Sequence, residues 1–176
     1  MKLSTIKTRN LSKNIIKKII NLKKTHYKFT FKQQLAWFKN NIKQSDDHNI
    51  LWNQGEVIGY NCLRQSKIIK NINRKEEIVN FLLFDTLLIN KKYRNKKLSS
   101  FIMKKTNSIA LKKKLFAFLV CDKMMVPFYK KYDWKVFPRK RIKFLKSHKF
   151  EDKKCMIKNL SKKEFSKVKF KMIWIK

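Results

Sequence analysis

Residues 81–103 read FLLFDTLLINKKYRNKKLSSFIM. The first nine, Phe81 to Ile89, are almost continuously apolar, the composition of a strand buried in the middle of a sheet. One acid, Asp85, interrupts them. A lysine-rich turn follows, and from Leu98 to Lys113 the apolar residues recur at helical spacing. A second apolar run, Leu115–Cys121 (LFAFLVC), reads as another buried strand. Met124–Tyr132 reads as a short helix, in which Pro127 is tolerable only in the first turn. A strand, a helix and a second strand in this order make a βαβ unit, so the chain predicts an α/β sheet with helices on both faces.

Upstream, Lys2–Lys7 alternates like a first strand. Ser12–Lys24 places Ile15, Ile19 and Leu22 on one helical face and leaves lysines outside. A second helix begins at Thr30, because Thr30 with Gln33 three residues on is a capping box. Ser45–Asn49 (SDDHN) is rich in turn formers. His48–Asn53 and Glu56–Leu63 then flank Gln54-Gly55, a hairpin signature. Ser66–Glu77 is polar, either a loop or a strand extension. Downstream, RIKFL (141–145), KKCMIK (153–158) and KFKMIWI (169–175) are strand-like. The expected order is β-αα-β-β-β-α-β-α-β(-β).

Length and composition bound the rest. The 176 residues suit one domain, 1–176, with 43% hydrophobic residues to build a core. No apolar run approaches the roughly 18 residues of a membrane span. The basic N-terminus breaks its apolar residues with lysine and does not read as a secretory signal, so a cytoplasmic protein is expected. Cys62, Cys121 and Cys155 are scattered, as are the three histidines, which argues against a zinc site or a disulfide framework and leaves no metal expected. Net charge is +35, from 46 basic and only 11 acidic residues. That balance favours anionic partners, and nonspecific charge would also attract nucleic acid. The lysines are spread along the whole chain, which also fits a solvated basic surface.

With these elements in place the sequence resembles the GNAT superfamily of N-acetyltransferases. In that family a buried fourth strand runs into a turn bearing (Gln/Arg)-x-x-Gly-x-(Gly/Ala) and then a helix. Here Arg94 takes the first position and Ser99 the small terminal one, while Lys97 stands where the middle glycine lies and Asn95 where glycine often follows the arginine. Leu115–Cys121 resembles the fifth strand. Pro127–Trp134 (PFYKKYDW) is similar to the family's Phe-Tyr-Glu-Lys-Leu-Gly-Phe run through Phe128, Tyr129, Lys131 and Trp134. The likeness is best over residues 80–140. It implies a mixed, mostly antiparallel sheet of six or seven strands and direct acyl transfer from acetyl-CoA to an amine, without a metal. The acceptor would be a small molecule or a protein, with an anionic one such as a nucleotide-linked amino sugar favoured by the charge.

The resemblance also assigns roles. Leu87, Leu88 and Ile89 would contact pantetheine and the acyl carbonyl. Arg94, Asn95, Lys96, Lys97, Leu98, Ser99 and Ser100 would cradle the pyrophosphate with the free N–H groups of a helix start. Asp122, Phe128 and Tyr129 would complete the coenzyme site, and Tyr129 would protonate the leaving thiolate. Asp85 has two readings: a buried general base with a raised pKa, or a carboxylate neutralised by a nearby cation. The absent glycines raise a specific question, since glycine adopts positive φ without cost. Asn95 tolerates that region best among other residues, while Lys97 would strain the turn or hold it differently. Cys121 reads as core. Two alternatives stand beside the enzyme: a basic nucleic-acid-binding module, and a non-catalytic protein on the same scaffold.

Overall fold

A computed structural model describes residues 1–144 and 152–172. They form two compact units, one of residues 1–64 and 84–106, the other of residues 65–83, 107–144 and 152–172. Strands β3 (Glu56–Ile72) and β4 (Lys75–Ile89) contribute to both.

The first unit starts with β1 (Lys2–Lys7), α1 (Lys13–Lys24), α2 (Phe31–Asn41) and β2 (Asp47–Asn53). Ser12 caps α1 by accepting from the Ile15 N–H, and Thr30 and Gln33 form the expected capping box of α2. β2 pairs antiparallel with β1 and with β3. The β2–β3 turn carries φ 48° at Gln54 and 77° at Gly55, the twist that suits a two-residue hairpin. Asp47, His48 and Asn49 belong to β2 and are buried, so the turn expected over Ser45–Asn49 ends earlier, at Asp46. The side chains of His48 and Asn49 find buried partners, which lets turn-forming residue types serve as strand interior.

Alternating strand residues meet different helices. Ile50, Tyr60, Cys62 and Leu88 pack with Ile19 and Leu22 of α1. Leu51, Ile58, Leu87 and Ile89 pack with Leu98, just before α3 (Ser99–Lys112), and with Ile102 within it. The two faces of this part of the sheet are therefore each covered by a helix. Gly59 permits the approach of α3: a Cβ there would lie 2.9 Å from Ile89 Cδ1 and 3.1 Å from Ile102 Cδ1.

In the second unit β3 and β4 continue as a hairpin closed at Asn73-Arg74, with φ 52° and 66°, so the polar stretch 66–77 is a strand extension. The strand order is β3-β4-β5-β8-β6, with β9 beside β3 and β7 beside β9. Here β5 is Ala117–Cys121, β6 Lys135–Phe137, β7 Ile142–Phe144, β8 Lys154–Lys158 and β9 Lys169–Met172. The core is aromatic: Phe81 and Phe170 each stack on Phe116, at 5.6 and 5.3 Å. Helices α4 (Val126–Lys130) and α5 (Lys162–Lys167) complete the unit.

Among the described residues the strands number nine, rather than six or seven. β6 is only three residues and α5 only six, too short to show a period. Leu145 and residues 173–175 of the expected tail strands lie outside the described residues.

Candidate functional site

The parallel ladder of β4 and β5 has two registered pairs, Leu82 with Ala117 and Leu83 with Phe118. Three residues further along β4, Thr86 has φ 63°. A β-branched residue in the left-handed region is an outlier that costs about 1–3 kcal/mol. Its effect is on facing. Asp85 and Thr86, adjacent in sequence, both line one pocket, after which Leu87 and Ile89 pack with α3 and Leu88 with α1. Two neighbours on one face are the mark of a bulge. Asn61 holds the distortion by donating from Nδ2 to the Thr86 carbonyl at 3.0 Å. Asn61 is fully buried, and its Oδ1 accepts from Asn49 at 3.0 Å and from Thr106 at 3.2 Å.

The pocket, about 390 Å³, is walled by Lys23 of α1, Tyr27 and Phe29 of the α1–α2 connection, Trp37 of α2, and Asp85 and Thr86 of β4. Gln33 and Gln34 extend it along the first turn of α2. Asp85 is not a deeply buried, isolated acid. Its side chain is 22% exposed, its Oδ2 accepts from Arg64 Nη1 at 3.4 Å, and its Oδ1 accepts from the Thr86 hydroxyl at 3.1 Å. Lys23 is 5% exposed, and its ammonium lies 4.0 Å from the centre of the Trp37 ring. Burial pushes its pKa below the usual lysine value, while the charge of Asp85 pulls it back up.

The turn after β4 carries the second feature. Asn95 has φ 62° and Lys97 φ 55°, so the two positions that lack glycine take the left-handed conformation all the same. Among the described residues, no acceptor meets the backbone N–H groups of residues 95 to 98 or of Ser99, the first residue of α3. Leu98 is buried against Ile102, Leu51 and Ile58 and anchors the turn. Arg94, Asn95, Lys96 and Lys97 are exposed, Ser99 and Ser100 half-buried. The Arg94 Nε donates to the Ile89 carbonyl at 3.4 Å, and His26 Nε2 lies 3.1 Å from the same oxygen. The side chains of Leu87, Leu88 and Ile89 are committed to packing, so only backbone groups there are offered to a ligand.

The remaining candidates belong to the second unit. Tyr129 of α4 is buried, its ring 5.1 Å from Phe128 and 6.3 Å from Trp134. Asp122 is exposed and paired with Lys153. Burial pushes the Cys121 thiol up to about 11, as suits a core residue. Sequence reading missed Lys23, Tyr27, Trp37 and Arg64. In a chain with 46 basic residues, nothing local marks Lys23 or Arg64 as different from their neighbours.

No family model matches the chain, and no curated protein matches it. Solved structures do. YhbS from Escherichia coli, a GNAT family N-acetyltransferase crystallised in complex with CoA, matches with a TM-score of 0.66 at 11% identity, over 98% of this chain and 89% of its own. ElaA from Escherichia coli matches with a TM-score of 0.65 at 12% identity, over 89% and 98%. An acyl-CoA N-acyltransferase from Pseudomonas aeruginosa gives 0.65 at 12%, over 90% and 99%. The chain has the GNAT acyl-CoA N-acyltransferase fold.

Proposed function

We propose that this protein moves an acyl group, in the simplest case acetyl, from acyl-CoA to the amine of a small acceptor. The observation that carries the reading is the turn 94–99. Its two left-handed residues leave five backbone N–H groups unclaimed at the start of a 14-residue helix, among exposed Arg94, Lys96 and Lys97. Amides and a helix dipole arranged this way suit a diphosphate. Lysine charge offsets what the missing glycines would have supplied in close approach.

The acceptor amine occupies the pocket beside Asp85 and attacks the thioester carbonyl carbon. The C–N bond forms, the C–S bond breaks, and coenzyme A leaves as a thiolate that takes a proton from solvent. Asp85 receives the proton lost by the amine and passes it to solvent. The pantetheine arm would pair with the backbone of residues 87–89, whose side chains are turned into the core.

Calorimetry with acetyl-CoA tests the coenzyme site. Arg94→Ala and Lys97→Glu should each raise Kd by about tenfold, since each removes a charge-assisted contact to phosphate. An absence of heat and of thermal shift at millimolar acetyl-CoA would refute the reading.

A further inference from the structure

The pocket beside β4 holds an acid and a base that are not paired with each other. Asp85 is already matched by Arg64. Lys23 has no carboxylate within 4 Å among the described residues, although it is 95% buried and opens on the pocket. A buried ammonium without a counter-ion is costly. The face of Trp37, 4.0 Å from the ammonium, offsets part of that cost. Asp85 still acts on Lys23 through space, raising the pKa that burial lowers. The two groups are thus too far apart for an ion pair and near enough to share a ligand.

From this geometry we infer that the acceptor is a free α-amino acid with an apolar or aromatic side chain, its amine at Asp85 and its carboxylate at Lys23. The inference rests on the acyl-transfer reading for the amine's fate, but the binding mode stands on the pocket alone. The charge count supports it. With Arg64 and Asp85 neutralising each other, the pocket keeps the single positive charge of Lys23. The nucleophilic form of an amino acid, with a neutral amine and an ionised carboxylate, carries one negative charge. Tyr27, Phe29 and Trp37 supply the apolar walls for its side chain. Phe29 is 57% exposed and Tyr27 36%, so these two rings are free to be covered by a ligand. An amine without an acid group, such as a polyamine or a peptide N-terminus, would leave Lys23 unmatched.

Calorimetry on the whole protein without coenzyme tests it, with L-phenylalanine, phenethylamine and 3-phenylpropionate as probes. Phenylalanine should bind about tenfold more tightly than phenethylamine, which keeps the ring and amine and lacks the carboxylate. Lys23→Met, close in volume, should erase that preference, and Lys23→Arg should retain part of it. Circular dichroism reports whether each variant is folded. Equal affinity for phenylalanine and phenethylamine, or no binding of either, overturns the inference. A preference that survives in Lys23→Met also overturns it. Thiol release from acetyl-CoA then separates the two readings. Lys23-dependent binding without release leaves this ligand class standing and removes the acyltransferase. Release with phenethylamine at the rate of phenylalanine keeps the acyltransferase and removes this inference.

Discussion

His48 makes the stability of this protein depend on pH between about 4 and 6.5. The ring is fully buried, stacked between Phe38 at 5.6 Å and Tyr60 at 5.8 Å. Its Nε2 is 2.8 Å from the Thr8 hydroxyl and its Nδ1 2.8 Å from the Tyr60 hydroxyl. Because the Thr8 hydroxyl also points to the Asp46 carbonyl, at 3.4 Å, the consistent pattern has Nε2–H donating to Thr8 and the Tyr60 hydroxyl donating to Nδ1. A second proton on the ring would break the bond from Tyr60 and place a charge in the core. Burial accordingly pushes the His48 pKa down to about 4 from 6.5, against the opposing charge of Asp47 and with help from Lys23. The unfolded chain binds a proton near pH 6.5 that the folded chain refuses until about pH 4, so stability is whole above pH 6.5 and falls as pH drops toward 4. Between pH 7.5 and 5.0 the loss from this one group is about 2 kcal/mol, and by pH 4 it approaches 3 kcal/mol. Urea denaturation of the wild type and of His48→Gln at pH 7.5 and 5.0 measures it: the wild type should lose about 2 kcal/mol more than the variant. Equal losses, or a His48 proton resonance that titrates near pH 6.5, would show that the ring is not held neutral.

Two further substitutions probe the bulge. Thr86→Gly should be neutral or stabilising, because glycine relieves about 1–2 kcal/mol of left-handed strain, whereas glycine in a regular strand costs about 0.5–1 kcal/mol; the sign of the change in urea midpoint decides. Asn61→Ala should destabilise by at least about 2 kcal/mol, since it strips partners from the Thr86 carbonyl, Asn49 and Thr106 in the interior, and a midpoint unchanged from wild type would mean the network does not hold β4.

The elements with a strong period or a strong cap were legible. Ile19 and Leu22 fixed the buried face of α1, Thr30 with Gln33 fixed the start of α2, and Gln54-Gly55 fixed the first hairpin. What was not legible depends on contacts between segments distant in sequence. Asp85 could be singled out as an acid in an apolar strand, but its partner Arg64 stands 21 residues away on β3. Lys23 gains its character from Trp37 above it and from burial, neither of which alters the local pattern of a lysine-rich helix end. The bulge at Thr86 has no residue signature at all. Threonine favours regular strands, and the contacts that meet its distorted backbone and hydroxyl, the amide of Asn61 and the carboxylate of Asp85, are not visible in the local sequence.

The same separation of motif from conformation explains the glycine-free turn. A motif reads glycine because glycine reaches positive φ without strain, yet strain of about 1–2 kcal/mol per residue is small beside what surrounds it. Leu98 in the turn and Ile102 in the first turn of α3 are 4% and 0% exposed, and burying two such side chains contributes about 1.5–3 kcal/mol each. Asn95 and Lys97 are therefore held left-handed by the helix they introduce, and the row of unclaimed N–H groups survives the loss of the residues that usually announce it. What the substitution changes is chemistry rather than shape. Lys97 adds a cation where glycine would add only room, so a polyphosphate at this turn would meet more charge and less close approach, with an affinity that falls more steeply as salt is raised.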